Sequence, residues 1–157
     1  MIIRPARAVE CAALADVVSA QPLLVRYGVK ADGLARDLGR ALAAGEDVVV
    51  ADGGSGPLGF AWFQPTGGLG GGYLKLIALK SGEESRGVGK ALLAEVEKSV
   101  ARSSRFLTLL VSDFNEQAQR FYEREGYARS GCLEKLYLAD VDELIYWKRL
   151  RAAAPEP

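Results

Sequence analysis

The chain has 157 residues, with twenty Lys and Arg against twenty Asp and Glu, no histidine, two cysteines and 49% apolar residues. At about 100–200 residues per domain this is one domain, long enough to bury roughly 68–70% of its unfolded surface without disulfides or metals. Zero net charge argues against a nucleic-acid or anionic-membrane partner, and the missing histidine removes Ser-His-Asp and Cys-His dyads along with the commonest metal ligand, so no metal is expected.

Ile2 to Ala6 reads as a short strand, and Val9 to Ala20 as a helix with Ala12, Ala13, Val17 and Ala20 at helical spacing. Charged Arg4, Arg7, Glu10 and Asp16 interrupt this stretch, so no secretory segment is expected. No run approaches the roughly 20 apolar residues of a membrane span. Gln21–Lys30, with Pro22 and Gly28, reads as a connection whose Leu23, Leu24, Val25 and Tyr27 are candidates for an acceptor pocket or a dimer contact. Asp32 is the expected N-cap of a helix through Ala44, with Leu34, Leu38 and Leu42 every fourth residue and Gly45 past its end. Asp47–Ala51 and Leu58–Gln64 read as a hairpin, and Thr66–Gly72 as a flexible connection.

Tyr73–Leu79 is the next expected strand. A helix then starts near Gly87 and Gly89, with Val88, Leu92, Val96 and Val100 four apart. Phe106–Val111 is almost wholly apolar, as a strand buried on both faces would be. Asn115 opens a helix that Gly126 closes, and Tyr127–Leu138 and Val141–Leu150 are expected to pair around Ala139 and Asp140. Trp62 and Trp147 fall in strands and are expected as packing. The unit spanning 73–111 requires a parallel strand pair. Residues 1–150 are thus expected to form one α/β domain, with 151–157 a flexible tail. Isolated Cys11 and Cys132 read as reduced thiols of a cytoplasmic protein.

Glu83–Leu93, EESRGVGKALL, invites comparison with phosphate-binding loops. A Walker loop fails at Glu84 and Ala91, and a dinucleotide fingerprint fails at Leu92. What remains is a strand, a short turn, two glycines spaced by one and an amphipathic helix. The first amides of such a helix lack partners and carry partial positive charge, and glycines at 87 and 89 let an anion approach them. A tight turn with no ligand would show the same spacing.

Leu79 to Leu93 resembles the coenzyme A loop of the GNAT superfamily of N-acetyltransferases, whose pattern is a strand, then [RQ]-x-x-G-x-[GA], then a helix. Asn115 to Tyr127 is similar to the N-x-x-A-x-x-[LF]-Y-x-x-x-G-[FY] element of the same family. The resemblance implies a single-domain GNAT-like acyl-CoA N-acyltransferase fold. Its sheet would be mixed and mostly antiparallel, with strands 73–79 and 106–111 as a central parallel pair flanked by helices. One departure is visible: Glu84 stands where Arg or Gln is usual, and Ser85 where Gly is frequent.

The resemblance further implies that acetyl-CoA is the cosubstrate, lying in a V between strands 73–79 and 106–111. Its pyrophosphate would meet the turn of Glu84, Ser85, Arg86, Gly87, Val88, Gly89 and Lys90, with Arg86 and Lys90 offsetting the charge of Glu84. Its pantetheine would pair with the backbone of Ile77, Ala78 and Leu79. Asn115 would reach the donor arm, although Asn is also a favoured N-cap in its own right. Tyr122 would be the catalytic residue that protonates the departing thiolate, although the face made by Ala118, Phe121 and Tyr122 reads equally as core. A phenol near pKa 10 protonating a thiol near 8.5 is uphill by roughly 2 kcal/mol, so hydrogen bonding to the developing charge is expected to dominate.

The implied reaction is transfer of an acetyl group to a primary amine of a small molecule or peptide, by direct attack in a ternary complex, in a monomer or homodimer. A catalytically silent CoA-binding or regulatory module is the alternative. No carboxylate stands on strand 73–79, and Glu83, Glu84 and Asp113 fall in loops. At pH 7 an α-amine is free base in about one molecule in six and a lysine amine in about one in 2,500. Without a protein base, kcat/KM is expected to climb with pH toward the amine's own pKa.

Overall fold

The computed structural model describes residues 1–151; of the tail expected at 151–157, residues 152–157 lie outside the described residues. β-rich runs form strands β1 (Ile2–Pro5), β2 (Asp47–Asp52), β3 (Pro57–Gln64), β4 (Gly72–Leu79), β5 (Phe106–Ser112), β6 (Ala128–Leu133) and β7 (Glu143–Arg149). The helices are α1 (Cys11–Val18), α2 (Pro22–Arg26), α3 (Ala31–Ala43), α4 (Val88–Val100) and α5 (Glu116–Arg124). The architecture is the expected single-domain α/β one, with a mixed seven-stranded sheet in the order β1-β2-β3-β4-β5-β7-β6. β4 and β5 are parallel, whereas β1–β2, β2–β3, β5–β7 and β6–β7 are antiparallel.

Contacts among the described residues gather in two compact units, Met1–Phe63 with Lys75–Val96, and Gln64–Leu74 with the described residues from Glu97 onward. The first has its core where Leu14 and Val18 of α1, Leu24 of α2 and Leu34 and Leu38 of α3 meet Val48 and Val50 of β2 and Phe60 of β3. Leu34 and Leu38 lie one turn apart on one helix face, which is why α3 buries a single stripe there. α3 begins after Lys30, whose extended backbone (φ −104°, ψ 153°) makes it the N-cap in place of the expected Asp32. Asp32 instead sits in the first turn, where a carboxylate favours the positive end of the helix dipole.

Two other expectations change. Gln21–Lys30 is not all connection: Pro22, at the first helical position, opens α2, which buries Leu24 and leaves Val25 61% exposed. The penultimate strand stops at Leu133 rather than Leu138, because Lys135 turns to φ +52° and its N–H is taken by Asp142 Oδ1 at 3.0 Å. The hairpin is therefore closed by the whole segment 134–142.

In the second unit, β5 and β7 pair without a break from Phe106↔Arg149 to Ser112↔Glu143. Directly opposed residues share a sheet face. One face thus carries Leu107, Leu109, Val111, Leu144, Tyr146 and Lys148, and the other Thr108, Leu110, Ser112, Glu143, Ile145 and Trp147. Tyr73 of β4, opposite Thr108, joins the second face.

Candidate functional site

In the first unit the glycine turn is built as the start of α4. Ala91 N–H bonds to Gly87 O at 3.0 Å, so Gly87 precedes the first turn and Val88, Gly89 and Lys90 supply its leading amides. Those amides have no partner within the helix and sit at its positive end. Gly87 adopts φ +82° with open space where a Cβ would stand, so conformation rather than crowding calls for glycine. Ser85 is also left-handed, at φ +64°, which costs a non-glycine residue about 1 kcal/mol. Val88 is buried and anchors the turn, while Ser85, Arg86, Gly87 and Lys90 are exposed.

Glu84, the departure from the family pattern, is fully engaged. Its carboxylate accepts from Gly82 N–H at 2.8 Å and from Gln21 Nε2 at 3.2 Å. Its own backbone N–H, then Gln21, then Gly82 hold it below the usual carboxylate range. Arg86, itself exposed, lies 3.6 Å from the half-buried Glu83, a pair of small energetic weight. Gln21 Nε2 also donates to the Leu79 carbonyl at 2.6 Å. Ala78 is buried, and Ile77 and Leu79 are half-buried. A Cβ on Gly59 of β3 would come within 2.6 Å of Ala78 O and 3.0 Å of Leu79 Cα, so the bare backbone there is what lets this end of β4 lie close.

In the second unit Asn115 caps α5: its Oδ1 accepts from Ala118 N–H at 3.1 Å, leaving the side-chain amide nitrogen without a hydrogen bond among the described residues. Tyr122, one turn beyond Ala118, is 6% exposed and packs edge-on against Phe121 (5.0 Å) and Tyr127 (5.5 Å), with Tyr146 at 6.5 Å. The neighbouring phenols are committed, Tyr127 to Glu97 and Tyr146 to Glu123, each at 2.9 Å. The Tyr122 hydroxyl makes no hydrogen bond among the described residues. Yet no buried polar side-chain atom among them lacks a partner, so this hydroxyl keeps an edge to solvent. Burial pushes its pKa up from the ordinary value, which makes proton donation harder than the sequence alone suggests and hydrogen-bond donation the more favourable role.

The predicted residues thus fall into two groups: Ile77–Leu79 and the 84–90 turn in the first unit, Asn115 and Tyr122 in the second. Two residues that sequence reasoning missed stand out. Gln21 is met only in three dimensions, since nothing in its neighbourhood marks it. Glu143, 4% exposed, is the one carboxylate among the buried polar residues described; its signal was an acid in an alternation otherwise made by Val141, Ile145 and Trp147. A cavity of about 250 Å³ lined by Asp37, Arg40, Glu46 and Trp62 contains none of the predicted residues. Among the described residues no cluster of three or more acidic or sulfur ligands suits a metal, and no helix is long and apolar enough to cross a membrane.

The sequence model of the acetyltransferase (GNAT) domain family matches residues 44–129. A Desulfovibrio desulfuricans structure assigned to the GNAT acetyltransferases is 27% identical over 96% of this chain and 99% of its own, with a TM-score of 0.82. An aminoglycoside 6′-N-acetyltransferase solved with coenzyme A is 20% identical over 98% of this chain and 99% of that one, TM-score 0.83. A Salmonella typhimurium protein solved with its cofactor acetyl-CoA is 15% identical over 99% and 98%, TM-score 0.75. The last two likenesses show the fold. No protein of curated function matches the chain in sequence.

Proposed function

Because the chain belongs to the GNAT family of acetyltransferases, we propose that it moves the acetyl group of acetyl-CoA to a primary amine of a small molecule or peptide, by direct attack in a ternary complex. The observation that carries this reading is the start of α4, where Gly87, exposed and at φ +82°, leads into the first amides of a thirteen-residue helix with no side chain of its own in the way. Glu84, Ser85, Arg86, Gly87, Val88, Gly89 and Lys90 are assigned to the pyrophosphate, with the amides as donors and Lys90 as the nearby cation. The backbone of Ile77, Ala78 and Leu79 is assigned to the pantetheine, for which Gln21 would release the Leu79 carbonyl. Asn115 keeps its capping bond and offers its free amide nitrogen to the donor arm. Tyr122 is assigned to the departing thiolate, as a hydrogen-bond donor whose own proton is held tightly.

The bound structures of the aminoglycoside acetyltransferase and the Salmonella protein support the choice of donor. The test is thermal. Acetyl-CoA at about 100 times its dissociation constant should add roughly 2.7 kcal/mol of stability, read as a higher melting temperature. Gly89→Glu, a change that the helix backbone accepts, should fold normally and lose that shift. A shift that survives in the variant would put the donor elsewhere. One observation favours the second reading, a silent CoA-binding module: a carboxylate, Glu84, stands in the anion turn. That reading predicts the thermal shift without thiol release from acetyl-CoA across a panel of amino acids, polyamines, aminoglycosides and peptides.

A further inference from the structure

The end of β4 carries a backbone carbonyl that a side chain holds. Lys80 N–H bonds to Leu58 O at 2.8 Å, next to β3. A trans peptide sets its N–H and C=O on opposite sides, so the Leu79 carbonyl of that same peptide points away from β3. What meets it is Gln21 Nε2, at 2.6 Å and 58 residues away in sequence. A carboxamide has two N–H groups, and Gln21 Nε2 also reaches Glu84 Oε1 at 3.2 Å. The other Glu84 oxygen takes Gly82 N–H at 2.8 Å. One side chain thus bridges the end of β4 and the turn that leads into α4.

The backbone of Gln21 is fixed without help from that side chain. Its N–H bonds to Val18 O at 3.0 Å, at the end of α1, and its carbonyl takes Val25 N–H at 3.1 Å. Gln21 is the N-cap of α2, yet its side chain makes no capping bond. The carboxamide therefore serves residues 79–84 and not the helix it precedes. Gln21, Leu79 and Glu84 are all half-buried and lie in one compact unit.

The group that Gln21 offers to Leu79 is an amide N–H aimed at a backbone carbonyl. A pantetheine arm, which is built around secondary amides, offers the same group. We infer that Gln21 is a positioning residue of the donor site, an internal stand-in for the pantetheine amide: its N–H holds the Leu79 carbonyl in the free protein and is exchanged for the donor's N–H on binding. The inference rests on the acetyl-CoA reading above. Glu84 keeps the second Gln21 N–H throughout, so the carboxylate that departs from the family pattern anchors the displaced side chain. Only a ligand with a pantetheine arm has to carry out this exchange.

The experiment is calorimetric titration of two ligands into wild type and Gln21→Ala. One is coenzyme A, and the other is phosphoadenosine diphosphate, its nucleotide end with the pyrophosphate but without the pantetheine arm. An intramolecular hydrogen bond is worth its net advantage over water, so coenzyme A should bind Gln21→Ala about 2–10-fold more tightly than wild type. The nucleotide end should bind both proteins equally. The ratio of the two affinities is what reads the exchange, because a loosened turn would weaken both ligands together. Equal or weaker coenzyme A binding by the variant, or a change shared by both ligands, overturns the role of Gln21 and leaves donor binding intact. Failure of coenzyme A to bind either protein removes the acetyl-CoA reading and the inference with it. Should Gln21→Ala not fold, wild type decides through the NMR coupling across the hydrogen bond from Gln21 Nε2 to the Leu79 carbonyl carbon. That coupling must be present in the free protein and vanish when coenzyme A saturates it, and its persistence overturns the exchange.

Discussion

Tyr122 shows how one side chain can look like core and still face chemistry. Its ring packs edge-on against Phe121 and Tyr127 and tilted toward Tyr146, and those contacts belong to the hydrophobic interior. Its hydroxyl contributes no hydrogen bond among the described residues. Removing it should therefore leave folding almost untouched, because no buried partner loses its mate. Tyr122→Phe is expected to melt within a degree or two of wild type, to keep the acetyl-CoA shift, and to turn over at least tenfold more slowly if the phenol hydrogen-bonds the leaving thiolate. Calorimetric binding and turnover on one preparation check this. Unaltered turnover would make Tyr122 a packing residue only.

Elements reveal what a one-dimensional pattern can carry. The four-residue spacing of Leu34 and Leu38, and of Leu92, Val96 and Val100, is visible because burial on one helix stripe demands it, and all five side chains are buried. The five residues of α2 are too few to show any period, and Pro22 suggests a break although it also suits a first helical turn. The end of β6 depends on Asp142 reaching back to Lys135, a bond that alternation cannot announce. The glycine turn and Asn115 were legible because amide donors and caps are local matters. The burial of Glu143 was only hinted at by the alternation around it, since its face is set by register with β5, and register is a tertiary property. Gly59 belongs to the same class: its role is visible only once β3 lies beside β4. Gly59→Ala would drive a methyl to 2.6 Å from Ala78 O, and it is expected to destabilise by about 1–3 kcal/mol in urea unfolding. Equal stability would mean that β4 yields without cost.

Across the molecule, charges that sum to zero are arranged in ionic knots within each unit. In the first, Arg4 contacts Glu10 at 2.6 Å and Asp52 at 2.9 Å, and Arg7 N–H reaches Glu10 at 2.9 Å. In the second, Lys148 contacts Glu97 at 2.9 Å, which also takes the Tyr127 hydroxyl. Glu10 is held well below the usual carboxylate range, chiefly by Arg4 and then Arg7, and Asp52 by the Gly54 amide and then Arg4. A carboxylate whose folded pKa is depressed stabilises fully above its unfolded pKa, near 4, and loses that contribution as pH falls through the folded value. Unfolding free energy should therefore decline from about pH 5 downward. Arg4→Met should flatten that decline, most visibly between pH 5 and 3 in urea titrations. Parallel wild-type and variant curves would show that the knot adds nothing to acid sensitivity.

The unbroken β5–β7 ladder has a consequence for how chain length can drift. Its seven consecutive pairs leave no slack, so one extra codon inside β7 would invert every later side chain, sending Tyr146 and Lys148 to the Trp147 side. β6 already absorbs an irregularity between Arg129 and Gly131, and the 134–142 segment is a turn. Descendants of this sequence can lengthen there but not within β7. A single alanine inserted after Asp140 should give folded protein with a near-normal melting temperature, whereas the same alanine after Leu144 should give none.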